Sequence, residues 1–182
     1  LSFVPGVRVD NHSMFGTHWT PKAALNYRPD DATQFYASWG KVFKAPTADD
    51  LYYYADNSGP WGISLMAGDP NLQPETGWTA TLGVNHKFNE KTSMGLSYFQ
   101  SRLNDAIEWA QVSTGHWKPS NINREKKRGM ELSFRQRLDD AWSYDLAYSY
   151  IRTEKDEGAG RGFVWDNGNS QPNGYRLGLH YA

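Results

Sequence analysis

No cysteine occurs among the 182 residues. Disulfides, thiolate metal sites, a cysteine nucleophile and dithiol redox chemistry are therefore excluded. Neither sign of charge is in excess, since 19 lysines and arginines face 20 aspartates and glutamates for a formal net charge of −1. A nucleic-acid binder carries a basic surplus, so no nucleic-acid partner is expected. No apolar run approaches the ~18 residues of a membrane-spanning helix, and the mean hydropathy is −0.75. The histidines at 12, 18, 86, 116 and 180 have no metal-ligand spacing, and no EF-hand loop stands behind a calcium site. There is no nucleophile elbow. Gly158-Ala159-Gly160-Arg161-Gly162 is too loose for a phosphate loop and reads as a loop tip. No catalytic residue, resident metal or cofactor is expected, and the chain is not read as an enzyme. No linker or shift in composition divides it, so residues 1–182 are one unit.

Aromatic residues, by contrast, are abundant: 8 Trp, 11 Tyr and 8 Phe, 15% of the chain. They fall on a period of two. Trp78, Ala80, Leu82, Val84, His86 and Phe88 share one face, and Thr79, Thr81, Gly83, Asn85 and Lys87 share the other. Trp142, Tyr144, Leu146, Tyr148 and Tyr150 alternate with Ser143, Asp145, Ala147 and Ser149. The same alternation recurs around Val7, Leu25, Trp39, Leu96, Leu132 and Leu177, giving about eight strands. A helix would scatter these residues round its axis. Low mean hydropathy does not argue against a membrane, because a barrel strand alternates apolar with polar residues.

The connections alternate as well. Arg28 to Ala32, Asn89 to Lys91 and Leu138 to Ala141 read as short turns, whereas about Asn11 to His18, Lys44 to Pro74, Val112 to Ser120 and Lys155 to Asn173 read as long segments. Short turns at one end and long loops at the other are the asymmetry of outer-membrane barrels. Tyr27, Phe35, Phe88, Trp142 and Tyr144 then form an aromatic girdle near the turns. Arg8, Lys22, Arg28, Lys87, Glu131, Arg135, Asp145 and Arg176 occupy the opposite face. Unpaired in a tight core, each would cost several kcal/mol; a wide, wet lumen gives them water or partners. A soluble sheet with its aromatic face on a core, such as a carbohydrate-binding β-domain, and a small stand-alone outer-membrane barrel remain alternative readings of this pattern.

Gly68-Asp69-Pro70-Asn71-Leu72-Gln73-Pro74-Glu75-Thr76 resembles the loop-to-strand motif of TonB-dependent outer-membrane receptors. Upstream, Trp39-Gly40-Lys41-Val42-Phe43-Lys44-Ala45-Pro46-Thr47 is similar to the strand and exit that precede it there. Downstream, Tyr98-Phe99-Gln100-Ser101, Asp105-Ala106-Ile107, Asn121-Ile122-Asn123 and Gly129-Met130-Glu131 are similar to the next two strands. The resemblance covers nearly the whole chain but part of such a receptor. It implies an all-β, antiparallel transmembrane barrel segment, about eight strands of a barrel of about 22, in the bacterial outer membrane and without the plug domain. It marks Pro46, Asn71, Leu72, Pro74, Glu75, Gly129 and Glu131 as motif residues. Beside the resemblance there is a physical reason: Pro70 and Pro74 remove backbone donors, so pairing begins at Glu75. The implied function is import of a scarce, bulky nutrient, an iron-siderophore foremost, driven by an inner-membrane TonB complex acting through the plug.

The aromatic residues of the long segments are the candidate ligand contacts: Tyr52, Tyr53, Tyr54, Trp61, Trp117 and Trp165, with Trp109 and Met66 nearby. For any one ring, loop packing or an outer girdle is an equal alternative. The run Arg124-Glu125-Lys126-Lys127-Arg128 reads as a solvated strand end or a contact with lipopolysaccharide phosphates. Two unpaired strand edges in lipid leave backbone groups without partners. The isolated 182-residue chain is therefore expected to aggregate or to require detergent, and a soluble, monodisperse preparation at neutral pH would contradict the barrel reading.

Overall fold

The computed structural model describes residues 1–53, 67–113, 116–156, 160, 162–166 and 172–181. They form one antiparallel sheet in which neighbours in sequence are neighbours in space. The strands are β1 (Ser2–His12), β2 (Gly16–Tyr27), β3 (Thr33–Lys44), β4 (Glu75–Asn89), β5 (Thr92–Ser113), β6 (His116–Arg137), β7 (Trp142–Asp156), the two-residue β8 (Val164–Trp165) and β9 (Asn173–Tyr181). A five-residue helix, α1 (Ala48–Tyr52), lies between β3 and β4. Eight long strands match the expected number. β7 carries β8 along its far end and β9 along its near end. Among the described residues β1 and β9 each pair on one side, so the sheet is open.

Register settles which residues share a face, because directly opposed residues in an antiparallel pair point the same way. Phe35 lies opposite Val84, Val84 opposite Leu96, Leu96 opposite Leu132, Leu132 opposite Tyr148 and Tyr148 opposite Tyr175. A continuous apolar row thus crosses six strands. Rows above and below it repeat the pattern, and Phe3, Val7 and Val9 extend it through Leu25, Pro21 and Trp19. Nothing covers this face among the described residues: Leu82 is 59% exposed and Leu177 72%. A soluble sheet would bury such a surface. From Trp142 to Tyr150 the band runs roughly 26 Å along the strand at ~3.3 Å per residue. At the usual strand tilt that spans roughly 20 Å of depth, comparable to the ~25 Å apolar band of membrane barrels. Near the short turns Tyr27 packs on Phe35 at 6.3 Å, Phe134 on Tyr144 at 6.1 Å and Trp142 on Tyr181 at 4.9 Å, as the girdle requires.

The opposite face is polar across the same strands. Lys87, Ser93, Arg135, Asp145 and Gly178 form one row, and Gly83, Ser97, Glu131, Ser149 and Gly174 another. Asp145 pairs there with Arg176 and His180. Two large rings lie flat on this face because glycine stands beside each. A Cβ on Gly83 would come within 2.4 Å of the Tyr36 ring, and one on Gly129 within 2.6 Å of the Phe99 ring. Gly129, a motif residue, is therefore a seat for Phe99, while Glu131 beside it faces the polar side between Ser97 and Ser149.

The short turns fall where the sequence placed them, at 28–32, 90–91 and 138–141. Two of the long segments do not. Asn11 to His18 is a tight hairpin whose ladder closes through His12 opposite Gly16, with Gly16 at φ 75° making the turn. Val112 to Ser120 is mostly strand, because β5 and β6 stay paired up to Ser113 opposite His116. The charged run 124–128 is likewise not a strand end. It lies in the interior of β6, bonded on both sides, with its residues pointing alternately to the two faces.

Candidate functional site

At the long-loop end, residues 45–53 and 67–74 are tied to the extended β5–β6 hairpin. Thr47 caps α1: its hydroxyl accepts from the Asp50 amide at 3.1 Å, and the Asp50 carboxylate accepts from the Thr47 amide at 2.9 Å and hydroxyl at 2.7 Å. The other Asp50 oxygen accepts the Trp109 indole N–H at 2.9 Å. Burial pushes the Asp50 pKa upward, but the Thr47 and Trp109 hydrogen bonds outweigh it and hold the carboxyl below the ordinary aspartate range. Asp50 thus fixes the helix to β5 as a carboxylate. The Asp50 carbonyl then receives the Asp69 amide at 2.8 Å, and the Tyr53 carbonyl the Gly68 amide at 3.1 Å. A side chain at Gly68 would meet the Leu51–Tyr53 backbone at 2.7 Å, which is why glycine stands there.

The motif residues form the base of this loop. Asn71 donates its amide to Asp69 at 2.9 Å, an Asx turn, and Lys118 pairs with the same carboxylate at 2.9 Å. The Asn71 amide and Lys118 keep the Asp69 pKa low. Leu72 is 3% exposed, and Leu51, Pro46 and Pro119 are also buried. Gln73 and Asn121 exchange two hydrogen bonds, at 2.8 Å and 2.9 Å, and Asn121 donates a third to the Asp105 carbonyl. Past the half-buried Pro74, Glu75 opens β4 opposite Lys44. One oxygen of its carboxylate accepts from Lys44 Nζ and from the Ile107 amide, both at 3.0 Å. Asp105 stands at φ 55° at that level of β5, where the ladder keeps its register from Asn104 opposite Arg124 to Ala106 opposite Ile122.

The described candidate contact rings are divided among four places. Tyr53 meets Trp109 edge to face at 6.0 Å, above Asp50. Tyr52 is exposed and donates its hydroxyl to the Met14 sulfur at 3.4 Å, spanning to the β1–β2 turn. Trp117 lies at the tip of the β5–β6 hairpin, where its carbonyl accepts from Ala67. Trp165 is apart from these: it pairs opposite Glu154, on the apolar band's side of the sheet, with Arg152 over its ring at 5.6 Å. Tyr54, Trp61 and Met66 lie outside the described residues, as do Gly158, Ala159 and Arg161 of the glycine-rich tip. The roles of Asp50, Asn121 and Lys118 were not foreseen. Thr47-x-x-Asp50 is a readable capping signal, but the other two join residues about 50 apart and leave no local mark.

The arrangement offers a braced aromatic and acidic surface at the mouth of a polar-faced wall, which suits binding. The family model described as TonB dependent receptor-like, beta-barrel, matches residues 1–182. The vitamin B12 transporter BtuB of Vibrio vulnificus is 36% identical over 127 residues, 69% of this chain and 19% of that protein. The ferric enterobactin receptor PirA of Pseudomonas aeruginosa is 28% identical over 174 residues, 85% of this chain and 23% of that protein. The chain thus spans roughly a fifth to a quarter of the length of these relatives. The crystal structure of the siderophore receptor PirA from Pseudomonas aeruginosa superposes with a TM-score of 0.69 at 20% identity, covering 97% of this chain and 38% of that one.

Proposed function

The chain belongs to the TonB-dependent receptor β-barrel family of the bacterial outer membrane, and from that premise we propose that it forms wall and loop base of a receptor that captures an iron-siderophore for TonB-driven import. The work is binding and passage, not catalysis. Family membership sets aside the soluble carbohydrate-binding alternative. The observation that carries the ligand reading is the Tyr53–Trp109 ring pair, held by Asp50 at the loop end of the wall. Rigid rings suit a bulky, partly aromatic chelate because they contribute contact area at little entropic cost. Tyr52 and Trp117 would add to the same surface, and Tyr54 and Trp61, between Tyr53 and Ala67 in sequence, are the further candidates. Trp165 contributes from the outer side of the mouth. Force would come from the inner-membrane TonB complex acting through a plug within the polar face.

A second reading, capture of a corrinoid, is favoured by the relative named as a vitamin B12 transporter. One experiment separates the two: titration of the purified receptor, by intrinsic fluorescence, with a ferric catecholate chelate and with cyanocobalamin, before and after Tyr53→Ala and Trp109→Ala. The expected result is saturable binding of the iron chelate, weakened about tenfold or more by either substitution. Saturation by cyanocobalamin alone would replace the siderophore reading with the corrinoid one, and unchanged affinity in both variants would remove this ring pair from the site.

A further inference from the structure

At the loop end of the inner face, one ammonium joins three elements of the fold. Lys155 stands next to the last residue of β7, on the face that carries Asp145 and Ser149. Its Nζ reaches across β6 to the Glu108 carboxylate of β5 at 2.5 Å, and it pairs as well with Asp166, just past β8, at 3.0 Å. The first of these contacts spans two strand spacings of ~4.8 Å each, which takes the whole length of both side chains. Glu125, directly opposite Lys155 on β6, is held instead by Lys127 at 2.9 Å. The Lys155 side chain is 15% exposed and that of Asp166 17%, so the pair with Asp166 is largely out of water.

What Lys155 ties together gives the contact its meaning. On one side, residues 162–166 form a strap along the upper part of β7. Val164 and Trp165 pair with Lys155 and Glu154, and the Asp166 amide donates to the Thr153 carbonyl at 2.9 Å. The pairing of β9 with β7 reaches up only to Tyr150. A two-residue ladder is a weak hold by itself, and the ion pair of Asp166 reinforces it. On the other side, Glu108 is the neighbour of Trp109, whose indole is fixed by Asp50 and whose ring meets the edge of Tyr53. A chain of contacts thus runs from the strap through Lys155 and Glu108 to Trp109, Asp50 and α1. The β7–β9 and β3–β4 connections, far apart in sequence, meet through it. Without Lys155, Glu108 and Asp166 lose the counter-ion they share, and a half-buried carboxylate left unpaired is costly.

We propose that Lys155 is a positioning residue for nutrient capture, holding the strap and the Tyr53–Trp109 ring pair in one frame and acting through them, not through a contact of its own with the ligand. The inference rests on the reading of that ring pair as a nutrient contact. A site assembled before its ligand arrives loses less freedom on binding. Lysine suits the role because it is long enough to cross a strand and carries the charge that two carboxylates from different elements need.

The test uses the whole expressed receptor, with folding checked by heat-modifiable gel migration, amide exchange read at Asp166, and affinity read with whichever probe saturates, a ferric catecholate chelate or cyanocobalamin. Lys155→Gln should speed exchange at the Asp166 amide about tenfold or more and weaken binding about three- to tenfold. Lys155→Arg keeps a cation between the two carboxylates and should bring both readings to within about twofold of wild type. Glu108→Gln should weaken binding while exchange at Asp166 stays near the wild-type rate, a split that a general loss of stability would not produce. It also serves in place of Lys155→Gln if that variant does not fold. Trp109→Ala combined with Lys155→Gln should weaken binding by less than the product of the two single effects, since the lysine acts through the tryptophan. If neither probe saturates, or if Trp109→Ala binds as wild type does, the ring-pair reading falls and takes this inference with it. If Trp109→Ala weakens binding while Lys155→Gln and Glu108→Gln do not, or if Lys155→Gln leaves exchange at Asp166 unchanged, the role of Lys155 alone is overturned.

Discussion

Leu82→Arg and Leu132→Arg are each expected to destabilise the barrel in a bilayer by about 2–4 kcal/mol, the cost of a guanidinium near the membrane midplane. Ser97→Arg, on the neighbouring β5, and Ser133→Arg, on β6 itself, both on the other face, should cost far less. The reasoning is a matter of parity. Leu82 and Leu132 stand midway along the outward band of β4 and β6, with apolar residues above and below them. Ser97 faces Glu131 across the ladder, and Ser133 lies next to Arg135 and Asp145 in a polar hollow. An arginine there reaches water or a carboxylate. Urea titration of the folded receptor in bilayers, followed by tryptophan fluorescence, reads the difference directly. Four variants of equal stability would mean that the two faces have been assigned to the wrong solvents, and the membrane wall with them. The comparison of Leu132 with its neighbour Ser133 matters most, because it stays within β6 and keeps the strand and its place in the sheet the same.

That parity could be read in the sequence because it is local. Trp78 to Phe88 shows its two faces without any knowledge of a partner strand, and the turns at 28–32, 89–91 and 138–141 announce themselves by Asp, Asn and Pro. The two misread connections share one cause. Asn11 to His18 and Val112 to Ser120 are polar on the whole and each holds a Gly, which is turn composition, yet the ladder already running below them carries the pairing upward. Cooperative extension of a hairpin is not encoded in residue type. The same limit hid which cations of neighbouring strands stand beside the charged run. The run 124–128 looks like a block of charge in one dimension, but Glu125 and Lys127 point inward. The cations beside it, Arg102 and Arg152, come from β5 and β7 through register alone. The loop base was half legible. The motif marked Leu72, Pro74 and Glu75, but nothing local said that Glu75 bonds Ile107 or that Asn121 holds Gln73.

Leu72→Ala and Glu75→Ala should therefore loosen the binding end while leaving the barrel below it intact. Leu72 is among the most buried side chains of the loop base, and truncating a buried leucine costs about 2–5 kcal/mol. Glu75→Ala leaves the Ile107 amide without its acceptor, a loss of about 1–3 kcal/mol for a buried donor. Glu75→Gln separates the two bonds that this carboxylate makes. A glutamine carbonyl can still accept from Ile107, while the attraction to Lys44 is lost; Lys44 is half exposed, where an ion pair contributes about 0–1 kcal/mol. Hydrogen exchange should show faster exchange at the Ile107 and Asp69 amides in both alanine variants, near wild-type protection in Glu75→Gln, and unchanged protection at Leu132. Because the ring pair stands on this base, nutrient affinity should fall with the protection, through lost pre-organisation and not through a lost contact. If Leu72→Ala and Glu75→Ala keep full protection at both amides, the motif does not anchor the loop. If Glu75→Gln fares as badly as Glu75→Ala, it is the charge on Glu75, not its acceptor oxygen, that holds the strand start in place.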